Sequence, residues 1–222
     1  MMKKYMVLAL FLIGLLVLAG CSGSDSSTDS EQSPSVQVEE GTVLEESPID
    51  FSKITFDVKP EAEEGTGNVL KCNFTNETGF TIDRLELKWT EKKDLGKKER
   101  KLWNDTLKAY LEESTKQDPE FDMNNEEDKA TYDYLMNYVD TSKPGAHSHV
   151  LYIENGSSKG DVVIFYDWES VPIAESTVPG ADINALFDML EPYSMEVLFT
   201  DGEGKQQTLK YLFEDGTVLA LE

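Results

Sequence analysis

The sequence predicts a mainly β domain, an antiparallel sandwich that carries an inserted helical hairpin. Short segments of alternating apolar and polar residues recur before residue 91 and after residue 148. Asp-Gly turns separate the last three of these segments, and Asp-Gly between alternating runs is a strong hairpin signal. Residues 97–140 instead repeat their apolar residues at helical spacing. An α+β arrangement is therefore the alternative fold class.

A positive start, an apolar stretch and small residues precede Cys21, in the order that a signal peptide requires. The apolar stretch, residues 5–18, has 14 residues. A permanent membrane-spanning helix needs roughly 20. Leu18-Ala19-Gly20-Cys21 resembles the lipobox of bacterial lipoproteins. The resemblance implies cleavage before Cys21 and a lipid on its sulfur. The alternative is an ordinary secretory peptide with a cysteine beside its cleavage site.

The stretch after Cys21 is acidic and rich in serine, with only scattered apolar residues. Such a stretch buries too little apolar surface to offset the entropy lost on ordering. We therefore expect a signal peptide at 1–20 and a disordered, lipid-anchored tether at 21–48. A single β-rich domain should follow at 49–222, with its helical insert at about 97–140.

Charge restricts the classes of partner. The net charge is −23, and removal of residues 1–20 with Lys3 and Lys4 lowers it to −25. Binding of nucleic acid through a basic patch is not expected of so acidic a chain. Only Arg84 and Arg100 among the twenty basic residues are arginines, a bias that favours a low-GC Gram-positive host. We therefore expect the protein at the extracytoplasmic face of the cell membrane, on its outer leaflet.

Alternation defines the strands before the insert. Inward-facing residues are predicted at alternate positions of the first two strands: Ile54, Phe56 and Val58, then Leu70, Cys72 and Phe74. A turn at 76–79 leads to a third strand, Phe80 to Trp89. The alternation changes phase within this strand, which predicts a bulge near Asp83 and Arg84.

Helical periodicity defines the insert. Buried stripes are predicted on its two helices: Trp103, Leu107, Tyr110 and Leu111 on the first, then Thr131, Tyr134, Leu135 and Tyr138 on the second. Asn124 or Asn125 can cap the second helix. The acids that follow suit its positive N-terminal dipole.

Strands resume after the insert. His149 to Glu154 alternates, whereas Asp161 to Trp168 is apolar on both faces and is predicted to be a central strand. Asp182 can cap a short helix that contains Leu190 and ends at Pro192. The chain is then predicted to finish in three antiparallel strands: Met195 to Thr200, Thr208 to Phe213 and Thr217 to Leu221.

The stretch 68–87 also resembles a known family. A strand, an Asn-x-Thr turn and a second strand that begins with Ile82 and Leu85 are similar to the opening hairpin of the immunoglobulin-like (FxLYD-type) domains of Gram-positive lipoproteins. The resemblance implies an immunoglobulin-like sandwich with a binding or structural role, and it brings no catalytic residues.

Catalytic motifs are absent from the sequence. No Gly-x-Ser-x-Gly elbow and no glycine-rich phosphate loop is present. Cys72 lies on the inward side of its strand and is interpreted as a small core residue. We therefore expect a non-enzymatic protein without an organic cofactor.

His147 and His149 are candidate zinc ligands. Residues two apart on an extended strand face the same way, so that both imidazoles could hold one ion. Asp161 or Asp167 could supply a further ligand. The alternative is that both histidines are simply solvated. The first reading predicts a metal-binding or sensing lipoprotein.

Tyr132, Glu126 and Glu127 are the candidate binding residues. Tyr132 lies off the predicted stripe of its helix and is therefore expected to be exposed, with the two glutamates nearby. Tyrosine is favoured at interfaces, and the carboxylates suit a basic or sugar-like ligand. The alternative is that the aromatic residues of the insert pack in the core. The first reading predicts a binding or scaffold module for a protein or cell-wall partner.

The lipobox resemblance gives the first testable prediction. Cys21→Ala removes the sulfur that would take the lipid, so the variant should remain an uncleaved, unlipidated precursor. Metabolic labelling with a fatty-acid analogue measures this outcome, with Cys72→Ala as the matched control that keeps the label. Label on the Cys21 variant, or none on the wild type, would contradict the assignment.

Overall fold

The computed structural model describes residues 41–65, 67–166, 178 and 180–221. The expected signal peptide and Cys21 lie outside these residues. Part of the expected tether lies within them, because Thr42–Val43 forms a strand that pairs with Val218–Leu221. The described fold therefore includes part of the segment that precedes residue 49. The backbone of an edge strand can pair whatever its side chains are, so the polar composition of this segment did not reveal it.

Two antiparallel sheets form the predicted sandwich. One sheet has three strands in the order β2-β3-β6: Ile54–Glu63, Gly67–Asn76 and Ser157–Val162. The other has seven strands in the order β1-β10-β9-β8-β4-β5-β7: Thr42–Val43, Val218–Leu221, Gln206–Leu212, Leu190–Thr200, Ile82–Glu91, Gly145–Ile153 and Ile164–Tyr166. The bulge predicted near Arg84 is present, as a shift in the register between β4 and β8.

The core lies between the sheets and follows the predicted alternation. Cys72 and Phe74 of β3 and Leu85 and Leu87 of β4 are all fully buried. Burial raises the pKa of the Cys72 thiol to about 12, so the thiol stays protonated at neutral pH. A 3-10 turn, Phe51–Lys53, packs on β9. Phe51 of this turn stacks on Tyr211 at a centroid distance of 5.1 Å.

The predicted hairpin between β3 and β4 is wrong, because these strands lie in different sheets. The turn is an arch from one sheet to the other, built on the fully buried Asn76. Its Nδ2 donates to the carbonyl oxygens of Phe80 and Ile153 at 2.8 and 2.9 Å. Its Oδ1 accepts from the backbone N–H and the hydroxyl of Thr78 at 3.1 and 2.8 Å. The strands themselves were predicted correctly, and only their pairing was not.

The predicted central strand 161–168 is also wrong. Two edge strands of the described sheets, β6 and β7, share this stretch, and the chain changes sheet at Val163. The backbone N–H of Val163 still donates to Leu70 of β3, whereas Phe165 pairs with Ala146 of β5. Both side chains are buried because the crossing runs along the inside of the sandwich. Asp167 and Trp168 lie outside the described residues.

Three α-helices complete the part of the fold that the structure describes. The insert is the predicted hairpin of α1 (Lys97–Gln117) and α2 (Glu126–Thr141). The third helix, α3 (Ile183–Phe187), has the predicted cap, with Asp182 accepting from the N–H of Ala185. It ends before Leu190 and Pro192, which belong to β8. Among the helices within the described ranges, none is long and apolar enough to cross a membrane.

The arch gives the second prediction. Asn76→Ala removes both donors and leaves buried carbonyl groups without partners, and each such group costs about 1–3 kcal/mol. The free energy of unfolding should therefore fall by at least about 2 kcal/mol in urea denaturation. Asn137→Ala, at an exposed position of α2, is the matched control and should change it by less than about 0.5 kcal/mol. Equal effects of the two substitutions would show that the arch does not depend on the amide.

Candidate functional site

The first helix of the insert is anchored to the sandwich as predicted. Trp103, Leu107 and Leu111 are buried along one side of α1. The indole of Trp103 packs edge-on against Phe165 of β7, with ring centroids 5.9 Å apart. The hairpin is thus attached at the β7 edge of the larger sheet through α1, and α2 packs on α1.

The second helix is rotated relative to the prediction. Its inward stripe consists of Asp128, Thr131, Tyr132, Leu135, Met136 and Val139, all of them half-buried or buried. These positions are spaced by three and four residues, like the predicted stripe, but they centre on aliphatic residues. Tyr132, predicted to be exposed, is therefore half-buried, and its ring lies 6.3 Å from that of Phe121.

Tyr134 and Tyr138 occupy the exposed side instead. Their side chains are 62% and 40% exposed, and their rings stack with a centroid distance of 6.3 Å and an interplanar angle of 22°. Glu127 lies seven residues before Tyr134 and therefore on the same side of the helix. Sequence reasoning missed this pair because it counted tyrosine as a core residue. The spacing of Leu135, Met136 and Val139 indicates which side of α2 faces inward.

The helix that carries the tyrosine pair is acidic. Residues 126–141 contain five acids and one lysine, Lys129. Glu126 and Glu127 are both exposed in the first turn of α2, where Asn125 accepts from the N–H of Glu127 at 2.9 Å. Of the three predicted binding residues, Glu127 is on the side of the tyrosine pair, whereas Tyr132 is on the inward side. We call Glu127, Tyr134 and Tyr138 the tyrosine face.

The two histidines lie on the outer face of the larger sheet. Their ring centroids are 6.4 Å apart, and His149 is exposed while His147 is half-buried. Nδ1 of His147 lies 3.5 Å from Oε1 of Glu86 on β4. Asp161, the suggested further ligand, is on the other sheet and accepts from the N–H of Val162. Within the part of the chain that the structure describes, no group of three or more His, Cys, Asp or Glu residues is arranged to hold a metal ion.

A charged row surrounds Glu86. This carboxylate lies directly opposite Glu196 of β8, and like charges in that position repel. Arg84 forms an ion pair with Glu196, and Nζ of Lys88 lies 3.6 Å from Oε1 of Glu86. The hydrogen bond with His147 holds the pKa of Glu86 below its usual range, with contributions from the charges of Lys88 and Arg84. These interactions stabilise the charged form of Glu86.

Comparison of the chain with protein-family models, with curated proteins and with solved structures finds no match. The function is therefore inferred from the geometry above.

The charged row gives the third prediction. Because the pKa of Glu86 is lowered in the folded state, the unfolded chain binds this proton more tightly. The stabilisation is therefore complete above the ordinary carboxyl pKa of about 4.3, and it is lost as the pH falls through the folded-state pKa.

Glu86→Gln should accordingly lower the free energy of unfolding at pH 7, by less than about 1 kcal/mol, and the difference should vanish in acid. Urea denaturation at both pH values measures it. Glu203→Gln, in an exposed turn, is the matched control and should have no effect at either pH. A deficit of Glu86→Gln that persists in acid would contradict the electrostatic explanation.

Proposed function

We propose that this protein is a membrane-anchored, extracytoplasmic lipoprotein that acts as a non-enzymatic binding module for a protein or cell-wall partner. The lipobox resemblance at Cys21 supports the anchor. The observation that supports binding is the tyrosine face, with its exposed aromatic pair on the outer side of α2. Tyrosine offers a large contact area at small entropic cost, which is why it is frequent among residues that dominate binding energy.

The chemistry of the face favours a positively charged partner. A lysine or arginine placed over a tyrosine ring is attracted by the ring electrons, and the attraction grows when the site is desolvated. Glu127 on the same side adds a carboxylate, and the acids of α2 add a long-range attraction that speeds association. A basic protein segment, or a wall polymer that bears amino groups, therefore fits the tyrosine face better than an anionic polymer does.

The position of the face supports the same function. The sandwich already buries its core between two sheets, and α1 provides the contact of the hairpin with it. The outer side of α2 is thus not needed for packing. Interface residues on a helix that is already folded lose little conformational freedom on binding, which favours affinity.

The fourth prediction tests the tyrosine face. Tyr134→Ser with Tyr138→Ser should weaken binding to the partner by at least about tenfold, because loss of a dominant interface residue costs about 1.4 kcal/mol or more. The melting temperature should be nearly unchanged, since both side chains are exposed. The partner is first identified in native membranes with a photo-reactive amino acid at position 134.

The matched control places the same photo-reactive group at Tyr193, which is 43% exposed on the sandwich. A partner captured from position 134 but not from position 193, and bound more weakly by the double variant, is the expected result. Equal capture from both positions, or wild-type affinity of the double variant, would contradict the proposal.

A second candidate function is metal binding or sensing by His147 and His149. It is supported by the position of both imidazoles on one face of the sheet and by the nearby carboxylate of Glu86. Zinc titration distinguishes the two functions: stoichiometric binding that disappears in His149→Ala would favour the metal site over the tyrosine face.

A further inference from the structure

A groove of about 630 Å³ lies between the start of α1 and α3. Its apolar floor is formed by Leu95, Leu102, Ala185 and Met189. Two lysines, Lys92 and Lys98, also line the groove. Three acids line it as well: Asp94, Glu99 and Asp188. Leu102 is 40% exposed, so the floor is accessible to a partner.

The groove borders the one strongly basic segment of an acidic chain. Residues 92–101 contain six basic side chains against two acids, although the net charge of the chain is −23. Four of the six are engaged: Lys92 with the carbonyl of Asp188, Lys93 with Glu214, Arg100 with Glu91, and Lys101 with Asp105. Lys97 and Lys98 are exposed, and neither has an ion pair among the described residues.

The opposite end of the hairpin has the complementary properties. The tip, residues 118–128, contains six acids and no basic residue. Met123 projects from it with 48% of its surface exposed. The tip is preformed, because the N–H of Asp122 donates to Asp128 at 3.0 Å and that of Asn124 donates to Asp122 at 2.9 Å. Glu120 and Glu126 are exposed and take no part in these bonds.

The groove and the tip of one molecule cannot meet. They lie at opposite ends of α1, whose 21 residues span about 31 Å. We propose that the tip of one copy docks in the groove of a second copy. Met123 then covers the apolar floor, while Glu120 and Glu126 approach Lys97 and Lys98. With the two α1 helices antiparallel, both contacts form at once and close a two-fold symmetric dimer.

Charge complementarity favours a second copy over other occupants. A nucleic acid or teichoic acid would satisfy the lysines but leave the apolar floor exposed to water. A neutral apolar ligand would leave Lys97 and Lys98 without counter-charges. The tip carries both the apolar side chain and the acids. It is also always present at the same concentration as the groove.

The fifth prediction tests this contact in the full-length chain in its membrane. Two differently tagged copies are co-expressed, one with Met123→Cys and the other with Leu102→Cys, and treated with a short thiol-specific cross-linker. The native Cys72 is fully buried and does not compete. A cross-linked pair carrying both tags is expected. Val43→Cys, at a position 65% exposed on β1, replaces Leu102→Cys in the matched control and should give none.

Charge reversal then decides whether the contact is electrostatic. Lys97→Glu with Lys98→Glu in the Leu102→Cys copy should reduce the yield by at least about tenfold, because like charges then face each other. Acids in the first turn of a helix are favourable, so α1 is not destabilised by this change. Adding Glu120→Lys with Glu126→Lys to the Met123→Cys copy should restore the yield.

Three results would overturn the proposal: no mixed cross-link, an equal yield from the Val43 control, or a yield that charge reversal leaves unchanged. None of these bears on the tyrosine face. Conversely, Tyr134→Ser with Tyr138→Ser should leave the cross-link intact, so failure of the binding function and failure of the dimer are distinguishable.

Discussion

The side-chain amide of Asn76 connects the end of β3, in the smaller sheet, to the arch and to the larger sheet. It bonds to the first residues of the arch, to Phe80 before β4, and to Ile153 at the end of β5. The backbone carbonyl of the same residue accepts from Gly156 in the turn to β6 at 2.6 Å. A buried amide is costly unless its donors and acceptor are all used, so only one geometry of the arch satisfies it. The arch fixes where β4 starts, and α1 leaves from the other end of β4. The placement of the hairpin therefore depends on it.

Local chemistry explains what the sequence could predict. Alternation placed Cys72, Phe74, Leu85 and Leu87 on inward faces, because a strand with one buried face must alternate. The cap at Asp182 depends only on neighbouring residues, as do the turns of the final meander. Helical spacing found the insert within one residue of its true end. All of these signals act over a few positions of the chain.

The failures have a common physical origin, which is that partners distant in the chain decide them. Whether β3 and β4 pair or separate depends on Ile153, more than seventy residues away. Val163 and Phe165 look like parts of one central strand because both are buried, yet Val163 follows the end of β6 in the smaller sheet and Phe165 lies in β7 of the larger sheet. The rotation of α2 depends on which side meets α1. Tyrosine is ambiguous in that choice because it is both aromatic and polar.

Net charge was a poor guide to the surface for a related reason. A value of −23 describes the whole chain, whereas a partner meets one patch at a time. The hairpin separates its charges along its length, with the basic segment 92–101 at one end and the acidic tip 118–128 at the other. Such separation has no benefit for solubility, which depends on total charge, and it gives each end a preferred type of partner.

The two proposals reinforce each other at a membrane. Lipid anchoring would confine the copies to a thin layer, and confinement raises their effective concentration, so that a contact of modest affinity suffices to pair them. The reciprocal contact uses the groove and the tip, and Tyr134 and Tyr138 of α2 belong to neither. A dimer would thus present two tyrosine faces in one assembly. For a partner with repeated basic groups, the second face binds as an intramolecular step, and the combined affinity exceeds that of either face without any new contact.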